Sequence, residues 1–116
     1  MKVSQFFAEI VGTFMFLMVI VNLIFGGNPT TNNSGIVPLF IAFGLCVSIY
    51  VTIGLGGFGH LNPVVSAVCV TNGSISISDM CLLILAQAIG AFLAYLIWYV
   101  LVKNNTTVDL PPRRKV

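Results

Sequence analysis

The sequence predicts an all-α membrane protein with three transmembrane helices and one re-entrant half helix. Of its 116 residues, 58% are hydrophobic and only 7% are charged, whereas a soluble domain carries about 25% charged residues. Three apolar stretches are each long enough to cross a hydrocarbon core of about 30 Å at roughly 1.5 Å per residue. A fourth apolar stretch is too short to span the core, which is typical of a segment that enters the membrane only partway.

The three spans are expected at about 5–25, 37–55 and 80–102. Gly26 opens the polar loop that ends the first span, because glycine and the polar residues after it interrupt a helix. Pro38 falls in the first turn of the second span, where a helix tolerates proline. Ser78 or Asp79 is the expected N-cap of the third span. The chain is therefore expected to be an integral, multi-pass membrane protein.

The fourth stretch has the local signals of a short helix at about 63–71. Asn62 is a favourable N-cap, and Pro63 suits the first helical position. An Asn-Gly pair at residues 72 and 73 is a favourable stop. A helix of this length is roughly 13 Å long, about half a bilayer core. Irregular backbone at that depth persists only where it is buried in protein or lines a wet cavity, so the segment indicates a pore.

The N-terminus of this short helix has the chemistry that a narrow water path needs. The Asn62 side-chain oxygen can accept from the first amides of the helix, which leaves its NH₂ group to donate to a water molecule. The helix dipole places about half a positive charge at the same end, which repels cations. Backbone carbonyls of residues 56–60 can accept from the same waters.

Four segments together resemble the aquaporin and aquaglyceroporin (major intrinsic protein) family. The segment from Gly59 to Ser66 resembles its first Asn-Pro-Ala box, although this chain has valine in place of the alanine. The segments from Ala8 to Phe14, from Ala42 to Leu45 and from Ala86 to Ala91 look like the signatures of its first, second and third helices. The resemblance implies one aquaporin-like repeat over 1–103, similar to the N-terminal repeat of the family.

The resemblance also implies roles for individual side chains in the pore. Asn62 would be the pore asparagine, Phe43 would be an aromatic of the selectivity filter, and His60 would line or brace the loop. The valine after Pro63 adds two methyl groups where two boxes would meet, and we expect it to widen or shift that junction. The implied pore-lining and selectivity residues are Phe43, Gly59, His60, Asn62, Pro63 and Val64.

Glu9 and Gln87 match buried polar residues of the family that hold the re-entrant loop. A lone carboxylate within a span is costly and is usually functional. The resemblance favours bracing of loop amides by Glu9 over a proton relay.

One repeat cannot enclose a pore, so a second half is expected, most economically an inverted copy of the same chain. The implied assembly is an antiparallel dimer or a higher oligomer such as a tetramer of pores, in a lipid bilayer. It would pass water or a small neutral solute such as glycerol.

Charge bias does not fix the orientation of the chain. Lys2 lies on one side of the three spans, and Lys103 and the basic tail at 104–116 lie on the other. The positive-inside tendency places the tail, which is expected to be polar and flexible, in the cytoplasm. The resemblance places the N-terminus there instead, and this conflict leaves dual topology as a hypothesis.

Two other membrane functions stay open. One is a non-conducting structural or vestigial subunit, and the other is a dual-topology small exporter that depends on Glu9. No nucleophile–base pair or metal-ligand spacing indicates an enzyme, a cofactor or a metal site, and the charge pattern does not indicate nucleic-acid binding. Cys46, Cys69 and Cys81 are expected to be small buried apolar residues.

Overall fold

The computed structural model describes residues 1–25 and 35–103, which form helices joined by turns and loops, with no strand among them. A segment of π-helix, Tyr99–Lys103, continues the last helix. The predicted flexible tail at 104–116 lies outside the described residues. The four helices are α1 (Val3–Ile24), α2 (Ile36–Gly54), α3 (Pro63–Thr71) and α4 (Ile77–Trp98).

Three of these helices are long and apolar enough to cross a membrane, namely α1, α2 and α4 with its continuation to Val102. Most of their large apolar side chains lie on the outside of the bundle, where lipid is their natural solvent. The prediction of an all-α, multi-pass membrane protein is therefore confirmed.

The helices α1 and α2 are antiparallel and approach closely through small residues. A Cβ atom built on Gly12 of α1 would lie 1.8 Å from the Thr52 hydroxyl of α2. Further along, Gly44 of α2 faces Val19 of α1. The residue numbers of these contacts rise along α1 while they fall along α2, so the two helices cross the membrane in opposite directions.

The helices α1 and α4 are parallel and form the largest contact in the fold. The α-amino group of Met1 lies 2.8 Å from the Asp79 carboxylate at one end of the pair. Near the middle, a Cβ atom built on Gly90 would lie 2.6 Å from the backbone oxygen of Ile10. This contact is between a side-chain position and backbone, so Gly90 is required for the helices to touch here.

The helix α3 has nine residues and packs against α4. A short turn that includes Gly73, at φ 78°, joins the two helices. Because the turn is short, α4 runs back along α3, so α3 begins beside the middle of α4, where Ser66 contacts Gln87, and ends near the start of α4. The half-helix geometry is therefore that of a segment which enters the bilayer partway.

The predicted N-cap of the third span is wrong by two or three residues. Ser76 is the N-cap of α4, and its hydroxyl accepts a hydrogen bond from the Asp79 amide at 3.1 Å. Ser78 and Asp79 lie inside the first turn instead. Ser76 takes this role because the turn after α3 leaves its backbone extended, as an N-cap requires.

The expectation that all three cysteines are buried is also wrong. Cys46 and Cys81 are exposed on the chain, and Cys69 is half-buried. The two exposed thiols lie on transmembrane helices whose outer faces meet lipid, where a small apolar side chain needs no protein partner.

We expect Gly90→Ala to lower the free energy of unfolding by about 1–3 kcal/mol, because its methyl group would press on the α1 backbone. Unfolding in detergent, followed by circular dichroism, measures the change. Gly54→Ala is the matched control, since no atom lies within 4 Å of its built Cβ. A Gly90→Ala protein that unfolds like the Gly54→Ala control would contradict the close approach of α1 and α4.

Candidate half-channel site

The loop before α3 folds into the bundle through a series of unusual backbone conformations. Gly56 and Gly59 have φ values of 86° and 72°, which glycine adopts without cost. Leu61 has a φ of 50°, a left-handed conformation that costs a non-glycine residue about 1–2 kcal/mol. Its buried side chain packs close to Gly12, so the loop is held in place by α1.

Glu9 of α1 braces this loop from inside the bundle. Its carboxylate is 0% exposed, and its Oε1 accepts a hydrogen bond from the backbone N–H of His60 at 3.0 Å. Its Oε2 accepts from the N–H of Leu61, also at 3.0 Å. Two consecutive loop amides at membrane depth are therefore satisfied by one carboxylate, which offsets the cost of burying both.

Gln87 of α4 completes the brace from the other side of the loop. Its Nε2 lies 3.4 Å from Glu9 Oε2 and 3.2 Å from the hydroxyl of Ser66. The amide nitrogen of Gln87 donates in both contacts, and the Glu9 oxygen and the Ser66 hydroxyl oxygen accept. The structure thus brings the two predicted bracing residues together around the loop.

Ser66 occupies the centre of the polar cluster, and sequence reasoning gave it no role. Its hydroxyl is fully buried, accepts from Gln87 and lies 3.1 Å from His60 Nδ1. It also donates to the backbone oxygen of Asn62 at 3.3 Å. A serine one turn after the N-cap of a short apolar helix was the signal that could have identified it, since i and i+4 share a helix face.

Asn62 caps α3 as the sequence predicts for a helix start. Its backbone is extended, as at an N-cap, and its side-chain Oδ1 accepts a hydrogen bond from the Val64 amide at 2.8 Å. Its side chain is exposed, and within the described part of the chain its Nδ2 has no hydrogen-bond partner. The arrangement presents a neutral donor beside the positive end of a helix dipole.

The remaining predicted pore residues lie at different distances from this cluster. His60 is half-buried and its ring packs against Phe58, with centroids 5.4 Å apart. Pro63 is the first residue of α3, and Val64 beside it is 69% exposed. Phe43 lies on the outer face of α2 and is 68% exposed, so the chain by itself does not bring it to Asn62.

A cleft of about 370 Å³ opens between α1 and α4 beyond the tip of α3. Two of the residues that line it, Thr13 and Gln87, each have a buried side-chain oxygen that lacks a hydrogen-bond partner, Oγ1 and Oε1 respectively. Within residues 1–25 and 35–103, no three His, Cys, Asp or Glu side chains form a group that could hold a metal ion. The cleft is lined by Thr13, Phe16, Leu17, Leu61, Asn62, Pro63, Ile84, Gln87, Ala88 and Ala91.

Comparisons with known proteins agree with this geometry. A family model described as "Major intrinsic protein" matches residues 1–113. The curated "Glycerol uptake facilitator protein-like 6" of Lactiplantibacillus plantarum is 34% identical over 94 residues. This match covers 78% of the chain and 40% of the relative, so the chain spans less than half of that relative's length. No solved structure gives a significant match.

We expect Glu9→Gln to lower the free energy of unfolding by about 1–3 kcal/mol, because its NH₂ group would face an amide donor of the loop. Thermal unfolding in detergent measures the loss. Asp79→Asn is the control, since this carboxylate lies at the membrane edge in a partly exposed ion pair, where solvent screens the attraction. Equal losses for the two variants would count against the brace.

We expect Ser66→Ala to destabilise the protein by about 1–3 kcal/mol, because it leaves an amide hydrogen of Gln87 buried without an acceptor. Ser66→Thr keeps the hydroxyl and should recover most of that loss. Urea unfolding of the two variants gives the comparison. If alanine and threonine behave alike, the hydroxyl does not organise the cluster.

Proposed function

Since the chain belongs to the major intrinsic protein family, we propose that it forms one half of a passive channel for water or a small neutral solute such as glycerol. A second half, most simply an inverted copy of the same chain, closes the pore. The observation that carries this proposal is the tip of α3, where a capping asparagine presents an unbonded amide donor partway through the membrane.

The chemistry of the tip suits neutral solutes. The donor at Asn62 can bind the oxygen of a water or a hydroxyl group, and the positive end of α3 opposes the entry of cations. The buried Glu9 carboxylate lies behind the loop with both oxygens occupied by backbone donors. Glu9 therefore holds the loop in place, and the group that the tip presents to a solute is the uncharged amide of Asn62.

The exposure of the tip supports the need for a second half. Asn62, Pro63 and Val64 are exposed even though they lie at membrane depth. Three spans packed side by side do not surround them, and lipid is a poor solvent for an unbonded amide. A second half that covers the tip would leave a narrow passage between the two halves.

The choice of solute follows from two features. The curated relative is named for glycerol uptake, and glycerol presents hydroxyl groups that a neutral donor can bind. Val64 at the tip is bulkier than the alanine of the family's Asn-Pro-Ala box. The next two residues, Val65 and Ser66, carry no positive charge. Both features favour a less selective filter than that of a strict water channel.

The same bracing geometry weighs against a proton-coupled exporter. A relay carboxylate must exchange protons with a wet path, whereas Glu9 is fully buried and accepts two loop amides. The non-conducting subunit differs from the half-channel in one measurable quantity, the permeability of a membrane that contains the protein.

We expect proteoliposomes with the purified protein to pass water or glycerol faster than empty liposomes in stopped-flow light scattering. Asn62→Asp should reduce this permeability roughly fivefold or more, the effect of losing one hydrogen bond of about 1 kcal/mol. Aspartate caps a helix as well as asparagine does, so the fold is kept while the donor is removed.

Asn72→Asp is the matched control, because this residue caps the other end of α3. Its permeability should equal that of the unchanged protein. Protein that inserts correctly but gives no permeability above empty liposomes would establish the non-conducting subunit instead.

A further inference from the structure

Tyr50 of α2 presents a phenol group that the rest of the chain leaves uncovered. Its side chain is 81% exposed, and its hydroxyl makes no hydrogen bond to any of residues 1–25 and 35–103. Ser48 and Thr52, two residues to either side, are fully buried where α2 meets α1. Because consecutive residues of a helix are roughly 100° apart, Tyr50 lies on the opposite side of α2, away from the bundle.

The depth of Tyr50 in the membrane makes this hydroxyl unusual. The side chain of Thr52 lies against Gly12, which is near the middle of α1 (Val3–Ile24). Two residues along a helix correspond to about 3 Å, so Tyr50 lies near the same depth. Tyrosines of transmembrane helices are enriched at the lipid–water boundary, where the hydroxyl is wet. A phenol without a partner in the hydrocarbon core is costly, so its position indicates a polar neighbour outside the chain.

The loop beside Tyr50 also carries unused hydrogen-bonding groups. Within the described part of the chain, no donor bonds to the backbone oxygens of residues 56–61. A Cβ atom built on Gly59 would lie 3.1 Å from Ile53 and 3.3 Å from Ile49, so the loop runs along α2 at the level of Tyr50. Lipid offers these oxygens no donor, whereas water does. The phenol and the loop oxygens together indicate water at this level.

We propose that Tyr50 lines the passage of the half-channel and that its hydroxyl binds a hydroxyl group of the passing solute. The backbone oxygens of the loop only accept, whereas the phenol group can both donate and accept. A small neutral polyol matches this set, because its hydroxyl groups can donate to the loop while one of its oxygens accepts from Tyr50. The inference rests on the proposed function and adds a residue that selects among solutes.

A polyol depends on Tyr50 more than water does. Water molecules in a narrow file bond to one another, so a missing group on the wall costs each of them little. A polyol displaces those waters and must bond to the wall itself, and a hydroxyl group left without a partner costs free energy. The phenol of Tyr50 therefore favours the larger, hydroxyl-bearing solute.

Thiol labelling in liposomes tests whether Tyr50 faces water. In a protein whose three native cysteines are replaced by alanine, Tyr50→Cys should react with a small, neutral, hydrophilic methanethiosulfonate, because the reactive thiolate forms only where the thiol is wet. Mass spectrometry measures the labelled fraction over time.

Phe92→Cys is the matched control for labelling. Phe92 is exposed on α4, two residues after Gly90, which approaches Ile10 of α1 at a similar depth. A phenylalanine has no hydroxyl to satisfy, so lipid suits this position and we expect its cysteine to stay unlabelled.

Labelling of Tyr50→Cys and not of Phe92→Cys supports the placement of Tyr50 in the passage. Equal labelling of the two positions, or none at Tyr50→Cys, overturns that placement, and the half-channel still stands if the unchanged protein is permeable. A protein that gives no permeability above empty liposomes overturns both proposals together.

Tyr50→Phe tests the hydroxyl separately from the position. It should lower glycerol permeability about three- to tenfold, the effect of one hydrogen bond, and leave water permeability nearly unchanged. Stopped-flow light scattering measures both. Tyr95→Phe is the matched control, because Tyr95 is also exposed but packs against Trp98 and Tyr99 near the end of α4, and it should change neither permeability.

Three results would overturn the role of the hydroxyl in selecting polyols. They are an unchanged glycerol permeability in Tyr50→Phe, an equal loss of water and glycerol permeability, and an unchanged protein that passes water but no glycerol.

Discussion

The structure depends on one buried carboxylate that accepts two consecutive backbone amides. A loop inside a bilayer cannot leave its N–H groups to lipid, and residues 60 and 61 have no helix or strand to satisfy them. Glu9 supplies both acceptors from a neighbouring transmembrane helix. The buried carboxyl group is in turn satisfied by those same amides and by Gln87. Burying the loop amides without an acceptor, or the carboxyl group without donors, would cost free energy, and the hydrogen bonds between them offset both costs.

The polar cluster explains how a half helix is held at a fixed depth. The tip of α3 is tied to α1 through the loop amides and to α4 through the hydroxyl of Ser66. The left-handed Leu61 turns the chain between these ties and buries its own side chain against α1. The position of the capping amide of Asn62 is thus determined by three helices, although the residue itself is on the surface of the chain.

Much of the fold was predictable because its signals are local. Apolar length identifies a span, and the Asn-Pro start with an Asn-Gly stop marks a short helix. The N-cap of α4 was mistaken because Ser76, Ser78 and Asp79 are equally good caps in sequence, and the turn after α3 decides among them. The spacing of Ser66 from Asn62 places both on one face of α3, but its partners His60 and Gln87 come from the loop and from α4, so its place in the cluster did not follow from sequence. The placement of Phe43 in a filter stays a prediction, since the face it would meet belongs to another half.

The parallel course of α1 and α4 has an evolutionary consequence. Because the described residues contain three spans, with α1 and α4 parallel, the start of α1 and the end of α4 lie on opposite sides of the bilayer. A gene duplication that joined two such units head to tail would therefore insert the second upside down, with no new signal needed to reverse it. A single duplication would therefore join two oppositely oriented halves in one chain.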